Sequence, residues 1–446
     1  MVEEGKTVDG NDTPQKEQMM KQEDQHDSAV PPSKRNLEAT PSFSAVVNRR
    51  AVLKGAALLL GTAAVQAIAQ RLSAETGPAF EDPTKVPGGP ATPYGHRAAF
   101  ERAERLVKPN RSRTPLHLLH GVVTPSALHF ERHHNGVPMI DPARHRLLIH
   151  GLVDRPMVFT LADLMRFPSV SRLAFIECSG NSGSEWQDHG KKTLQDIHGL
   201  TSTSEWTGVP LAVVLREVGV KPEAVWMLAE GSDAAAMTRS IPIAHILDEA
   251  LICYGQNGEA LRPEQGYPLR LLLPGWEGNA NIKWLRRLKL GAKPFMTREE
   301  TARYTDLMPD GTARQFTMVM EAKSMITSPS GGDRIQQPGF LEIRGLAWSG
   351  RGRVVRVDVS TDRGRQWAAT QIQEPVLPRC HTRFRFPWRW DGQETIIQSR
   401  CIDETGYVQP TRQELIAVRG TNSYYHYNAI QSWKILRDGH VQNVHV

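Results

Sequence analysis

Cysteine is scarce in this chain, and the scarcity excludes several kinds of chemistry. Four cysteines (Cys178, Cys253, Cys380 and Cys401) in 446 residues do not make a disulfide framework. Cys-x-x-Cys-His is missing, so no haem is expected on this chain through that attachment. A flavin or dinucleotide fingerprint is missing too. The apolar run from Gly55 to Ala69 covers about fifteen residues, short of the roughly twenty that span a bilayer, so no stable membrane span is expected. Basic residues outnumber acidic ones only 54 to 48, and no long basic tract interleaves with aromatics. That argues against a nucleic-acid partner and leaves weak steering of anions.

What is present begins with a polar stretch, Met1 to Ser44, which has too little apolar surface to fold alone. Arg49 and Arg50 then precede the modest apolar run, which ends in Ala67-Ile-Ala69. Together these read as a twin-arginine export signal, cleaved after Ala69, and predict a periplasmic protein exported folded. Export in that state suggests a cofactor inserted beforehand. Residues 70–115 are rich in Pro, Gly and charge and read as an extended arm, with Pro93 to Val107 as its helical piece. The polar segment from Thr297 to Gln315 divides a mixed catalytic domain (116–310) from a β-rich domain (311–446). In the latter, short strands such as Gly339–Trp348, Arg383–Trp390 and Thr395–Ile402 alternate with turns at Asp362-Arg-Gly364 and Asp391-Gly392. The fold class is therefore α+β, with an immunoglobulin-like β-sandwich at the end.

The chemistry concentrates around Phe175-Ile-Glu-Cys-Ser-Gly-Asn-Ser-Gly-Ser-Glu-Trp186. An apolar strand end delivers Cys178 into a turn of small residues, where it is either a presented thiolate or a small buried hydrophobe. Upstream, His129 and His133 stand four apart, but Phe130 follows the first and the segment is too short for a zinc-hydrolase helix. Arg132-His133-His134 reads better as a polar, anion-binding loop. Asp233, Arg239, Arg270, Asn281 and Lys283 lie at strand ends and in the glycine-containing loop Pro274–Lys283, where backbone amides and cations suit a phosphate. Each alone reads better as a solvated surface group. Tyr304 is an aromatic donor in the polar segment, and the β-rich half offers no nucleophile or ligand cluster.

Phe130-Glu-Arg-His-His134, Glu177-Cys-Ser-Gly-Asn181, Tyr267-Pro-Leu-Arg270 through Leu285, Thr301-Ala-Arg-Tyr304 and Cys401–Pro410, in this order, resemble the sulfite oxidase family of molybdenum enzymes. The resemblance covers nearly all the chain beyond the leader and is greatest to the Sox-type periplasmic sulfane (sulfite) dehydrogenase branch. It implies a molybdopterin-binding domain followed by a dimerisation domain. It implies molybdenum held by Cys178 and by a pterin dithiolene, with His133, His134, Asp233, Arg270, Asn281 and Lys283 around the pterin and its phosphate. Arg132 would face an anionic substrate and Tyr304 would hydrogen-bond beside the metal oxygen. The implied activity is oxygen addition to a reduced sulfur, either sulfite or sulfane sulfur on a carrier protein of thiosulfate oxidation. Electrons would pass to a c-type cytochrome subunit, in a homodimer or a heterotetramer with that cytochrome.

One departure bears on substrate. Sulfite oxidases carry arginines shortly after the Gly-Asn of the cysteine motif, where this chain has Ser182-Gly183 and then Glu185-Trp186. The expectation is a less cationic mouth, suited to carrier-bound sulfur. A methionine sulfoxide reductase of the same superfamily and a metal-free hydrolase using Cys178 are the alternative readings; the first lacks the β-rich domain.

Overall fold

The computed structural model describes residues 83–85, 87–187 and 192–446. The export signal and the polar leader lie outside the described residues. The chain divides into two units, through Glu101 and from Arg102 to Val446. The described part of the first unit holds one helical turn, Pro83–Lys85. All that follows concerns the second.

Its first half carries the strands β1 (Leu106–Lys108), β2 (Arg111–Arg113), β3 (Glu131–Arg132), β4 (Leu147–Gly151), β5 (Met157–Phe159), β6 (Val170–Glu177) and β7 (Thr201–Pro210). They are followed by β8 (Trp226–Gly231), β9 (Thr238–Pro242), β10 (Leu251–Gln256), β11 (Glu259–Ala260), β12 (Arg270–Leu272) and β13 (Leu285–Gly291). Three short helices interrupt them: α1 (Leu161–Leu164), α2 (Leu194–His198) and α3 (Leu211–Val218). Thr160 caps α1 as its sequence predicts, with its hydroxyl accepting from Asp163 N–H and its own N–H donating to the Asp163 carboxylate. In α3, Leu211, Val214, Leu215 and Val218 recur at helical spacing and are all buried.

Ten of these strands form two five-stranded sheets, and β1-β2-β3 form a third sheet of three. Of the five-stranded sheets, one runs β5-β4-β13-β8-β9, and the other β11-β10-β7-β6 with β12 on β10. The first sheet and α3 enclose a core that includes Leu147, Ile149, Val214, Met227 and Leu288. A smaller core of Phe130, Ala174, Ile176, Trp206, Leu251 and Leu272 lies on the second sheet, and Cys178 packs at its edge.

Two sequence expectations change here. Residues 93–107 form no helix; they have little apolar surface to bury on one face, and Leu106 to Lys108 instead satisfies its backbone by pairing with β2. The end of the expected arm is thus a hairpin whose second strand pairs with β3, bringing Arg111 opposite Arg132.

The second half contains β14 (Asp306–Leu307), β15 (Ala313–Arg314), β16 (Lys323–Ser328), β17 (Gly339–Trp348), β18 (Val354–Ser360), β19 (Ala368–Ala369) and β20 (Gln371–Gln373). After them come β21 (Thr382–Trp390), β22 (Thr395–Asp403), helix α4 (Arg412–Arg419), β23 (Ser432–Ile435) and β24 (Val441–Val444). Sheets β16-β17-β21-β20 and β19-β18-β22-β23-β24 enclose Ile326, Ile343, Trp348, Val357, Phe384, Ile397 and Trp433. The fold is α+β, a mixed domain followed by a β-sandwich, as expected.

The halves meet through a buried charge. Lys323, 2% exposed in its side chain, pairs with Glu177 at 3.3 Å and donates to Ser182 Oγ at 2.6 Å. Trp348 Nε1 donates to the other Glu177 oxygen at 2.7 Å. Lys323→Met should cost about 3–5 kcal/mol of unfolding free energy in urea, because it strands a buried carboxylate. Adding Glu177→Gln should recover most of the loss. Equal destabilisation in single and double variants would show that the charge is not the cause.

Candidate active site

Strand β6 delivers Cys178 because its ladder with β7 runs the whole way from Val170 to Glu177 and then stops. Past the strand, Cys178 N–H donates to Leu200 O at 3.0 Å and Asn181 N–H returns to Cys178 O at 2.8 Å, closing the turn. The Asn181 amide fixes it further, donating to Glu177 at 2.9 Å and accepting from Leu200 N–H at 3.0 Å. The loop 277–283 lies against the same strand end. A Cβ on Gly278 would stand 2.9 Å from Glu177 O and 3.3 Å from Cys178 Cα, so only glycine permits this approach.

A cavity of about 700 Å³, open mouth included, lies where these pieces meet. Arg132, His133, His134, Cys178, Asp233, Arg270, Asn281, Lys283 and Tyr304 all line it, so the structure gathers every residue that the family resemblance implied for the site; Arg239 does not line it and pairs with Glu277 and Glu300 instead. His129 also lines it, but its ring stacks on Phe130 and meets Trp206 edge-on, with Nδ1 on Phe130 O. Among the described residues no three His, Cys, Asp or Glu side chains gather as a metal site. A metal at Cys178 would therefore take its other ligands from a bound group.

The electrostatics are those of an anion site. Arg270 is 2% exposed; it donates to Gln265 O at 3.0 Å, lies 4.6 Å from the Trp206 ring, and has its pKa pushed down to about 10 by burial. Burial, then Arg270, lowers Lys283 to about 7, although its ammonium donates to Arg132 O and Glu264 O at 3.0 Å each. Burial and nearby cations hold His133 and His134 near 4, so both rings are neutral at pH 7. Burial raises the Cys178 thiol, against the pull of Arg132, the Gly180 N–H and Arg113. Buried Arg270 Nε, His133 Nδ1 and Asn279 Oδ1 have no protein partner. Under-compensated cations and idle polar atoms around one cavity suit a polar, anionic ligand.

Not every candidate points its polar atoms inward. The Asn281 carboxamide accepts from Leu273 N–H at 2.6 Å and donates to Glu277 O at 3.0 Å, so it builds the loop. Asp233 likewise accepts from Met237 N–H at 3.0 Å. The other three cysteines are buried and free, and burial raises Cys253 and Cys380 to about 12. Cys178 is the least buried of the four.

Two expectations need correction, and one contact adds to them. Ser182, Glu185 and Trp186 do not form a mouth; their side chains are buried. Ser182 bonds His198 at 2.6 Å, and Glu185 accepts from Asn443 at 3.1 Å. The departure from the arginine pattern there cannot by itself set the charge at the opening. The polar segment near 299 is no solvated linker: Glu299 and Glu300 are buried, with Glu300 pairing with Arg239 at 2.8 Å and accepting from Ser240 N–H at 3.0 Å. Burial there is bearable because both carboxylates find donors. Finally, the β-rich half does reach the site. His426 N–H donates to Ser179 O at 2.8 Å, and its imidazole meets Glu277 at 3.2 Å. A signal for this was present: Tyr424, Tyr425 and Tyr427 put three of the chain's eight tyrosines within four residues.

The family model described as oxidoreductase molybdopterin binding domain matches residues 134–299, and that described as Mo-co oxidoreductase dimerisation domain matches 314–433. Chicken (Gallus gallus) sulfite oxidase is 32% identical over 334 residues, 68% of this chain and 72% of that protein. Mitochondrial sulfite oxidase of Mus musculus is 31% identical over 344 residues, 71% of this chain and 62% of that protein. An NADH nitrate reductase of Ulva prolifera is 33% identical over 335 residues, 65% of this chain; the chain spans only 38% of that protein's length. Among solved structures, the sulfane dehydrogenase SoxCD from Paracoccus pantotrophus is 47% identical, with a TM-score of 0.76 over 84% of this chain and 96% of that one.

The depressed pKa of Lys283 has a measurable consequence. Between about 7 and its ordinary value the unfolded chain binds the proton and the folded ligand-free chain does not, so folding stability rises with pH there. Lys283→Met should abolish that contribution. Ligand-free wild type should gain on the variant as pH rises from about 7 toward 10, and the gap should stay constant below 7. Parallel unfolding curves at every pH would contradict the buried-cation picture.

Proposed function

Because the chain belongs to the sulfite oxidase family of molybdopterin oxidoreductases, we propose that it is the molybdenum subunit of a periplasmic sulfur dehydrogenase. It adds oxygen to a reduced sulfur substrate and passes electrons to a c-type cytochrome. The convergence of Cys178, Arg132 and Tyr304 on one cavity carries this reading.

The residues fit a molybdenum–pterin group. Cys178 offers the one thiol of the lining, and a coordinating thiol is deprotonated outright despite its raised pKa. Lys283 and Arg270 balance the phosphate end, whose charge would restore a protonated Lys283. His133 and His134, neutral, would hydrogen-bond the polar edges of the group. When bound, the group supplies oxygen to the substrate sulfur and takes up two electrons. Arg132 would hold the anionic sulfur group, a terminal sulfane sulfur or sulfite. Tyr304, whose phenol burial keeps protonated, donates a hydrogen bond beside the transferred oxygen. His134 Nε2 stands 3.4 Å from its hydroxyl and helps to aim it.

Carrier-bound sulfane sulfur is the favoured substrate and sulfite the second. The higher identity to the sulfane dehydrogenase than to the sulfite oxidases supports this order. The sandwich serves as the dimerisation domain, in a homodimer or in a heterotetramer with the cytochrome. The twin-arginine leader provides export.

Cytochrome c reduction should be faster with a sulfur-loaded carrier protein than with free sulfite; the reverse order would make the chain a sulfite dehydrogenase. Cys178→Ser should lose molybdenum and activity, whereas an active metal-free protein inhibited by alkylation would support the hydrolase. Arg132→Ala and Tyr304→Phe should keep molybdenum while turnover falls about 10²-fold, the scale of one lost transition-state donor. Wild-type kinetics in either would remove that residue's role.

A further inference from the structure

Three consecutive side chains of the second half reach three parts of the site. Tyr424, 46% exposed, lies over the cysteine turn: its Cε1 is 3.3 Å from where a Gly180 Cβ would be, and its carbonyl 2.8 Å from a Gly183 Cβ. Tyr425 meets Tyr424 edge-on at 5.2 Å and packs on the Tyr304 ring at 5.1 Å. His426 donates from its backbone to Ser179 and meets Glu277 through Nε2 at 3.2 Å. Glu277 pairs with Arg239 at 2.7 Å, and the Arg239 guanidinium, 1% exposed, lies 5.0 Å from the Tyr304 ring centre. Asn279 ties Glu277 back to Ser179 Oγ, at 2.9 Å to each. None of Tyr424, Tyr425 and His426 lines the cavity.

We propose that Tyr425 and His426 are positioning residues for Tyr304: the Tyr425 ring and the His426–Glu277–Arg239 chain hold the phenol at the cavity wall. The inference rests on the reading that Tyr304 acts in this site. Tyr304 follows a wide helical turn, Glu299–Arg303; its backbone N–H donates to Glu299 O and its hydroxyl has one long contact, 3.4 Å to His134 Nε2, so packing of the ring does most to keep it in one rotamer. A tilted ring–ring contact with Tyr425 and a buried guanidinium supply that packing. The backbone at His426 supports a selected side chain. Its φ of +57° is left-handed, a conformation that glycine adopts freely and other residues adopt at a cost. A histidine kept where glycine suits the backbone better points to use of its imidazole.

The same backbone makes the test selective, since His426→Gly relieves the dihedral while deleting the ring. Tyr425→Ala removes a ring contact that Tyr425→Phe preserves. In molybdenum-loaded protein assayed with sulfite and cytochrome c, kcat should fall about three- to tenfold in Tyr425→Ala and His426→Gly, the worth of one aromatic or polar contact. KM should change little, and Tyr425→Phe should match wild type. Molybdenum content and thermal midpoint should stay near wild type in all three, and crystal structures of the two impaired variants should show Tyr304 displaced. An unmoved Tyr304, an unchanged kcat, or loss of molybdenum from both variants would overturn the proposal. Tyr304→Phe measured alongside separates the two levels. If that variant is impaired and the others are not, only this inference falls; if it is itself unimpaired, the role given to Tyr304 falls first.

Discussion

Polypeptide has to close on Cys178 from two directions, and the site depends on that constraint. On one side Gly278 brings loop 277–283 against the end of β6; on the other, Gly180 and Gly183 admit Tyr424 from the second half. A side chain at Gly278 would sit 2.9 Å from Glu177 O, a distance that real Cβ contacts do not reach. With both approaches made, the cysteine is walled by backbone and rings, and its sulfur faces the cavity lined by Arg132 and Tyr304. The small residues around Cys178, which read in the sequence as openness, are packing requirements.

Charge follows from the same enclosure. Packing strips water from Arg270 and Lys283, leaving cations whose own neighbours are mostly backbone carbonyls. Behind the lining the order reverses: Arg239 sits between Glu277 and Glu300, and Lys323 meets Glu177. In the outer frame each cation thus has a carboxylate partner, whereas Arg270 and Lys283 in the lining have none. A frame of paired charges resists repacking because removing either partner strands the other, while a lining of unpaired cations waits for an anion.

Much of this was legible in the sequence, for identifiable reasons. Cys178, Arg132, His133, His134, Arg270, Lys283 and Tyr304 stand in short local motifs, and local motifs survive reading without coordinates. The sandwich was visible through alternating strands such as Gly339–Trp348, observed with those same bounds. Orientation was not visible. Glu299 and Glu300 looked solvated because their donors, Thr238, Arg239 and Ser240, lie some sixty residues away. Ser182 and Glu185 looked like a rim because nothing local says that a left-handed residue, φ +63° at Ser182, turns the segment inward. Tyr424 to His426 escaped notice because their targets belong to the other half. These misses about orientation come from partners distant in sequence, unlike the local β1–β2 hairpin that replaced the expected helix.

The inward turn after Cys178 also orders events in time. Glu185 accepts hydrogen bonds from Asn443, 258 positions further along the chain, and from His445. Ser182 bonds His198, whose other nitrogen meets Gln431. The cysteine turn therefore has its buried partners only once nearly the whole chain has been synthesised and the sandwich has closed on it. A nascent chain on the ribosome presents Cys178 on an unfinished loop until the segment from Gln431 to His445 has emerged to meet it.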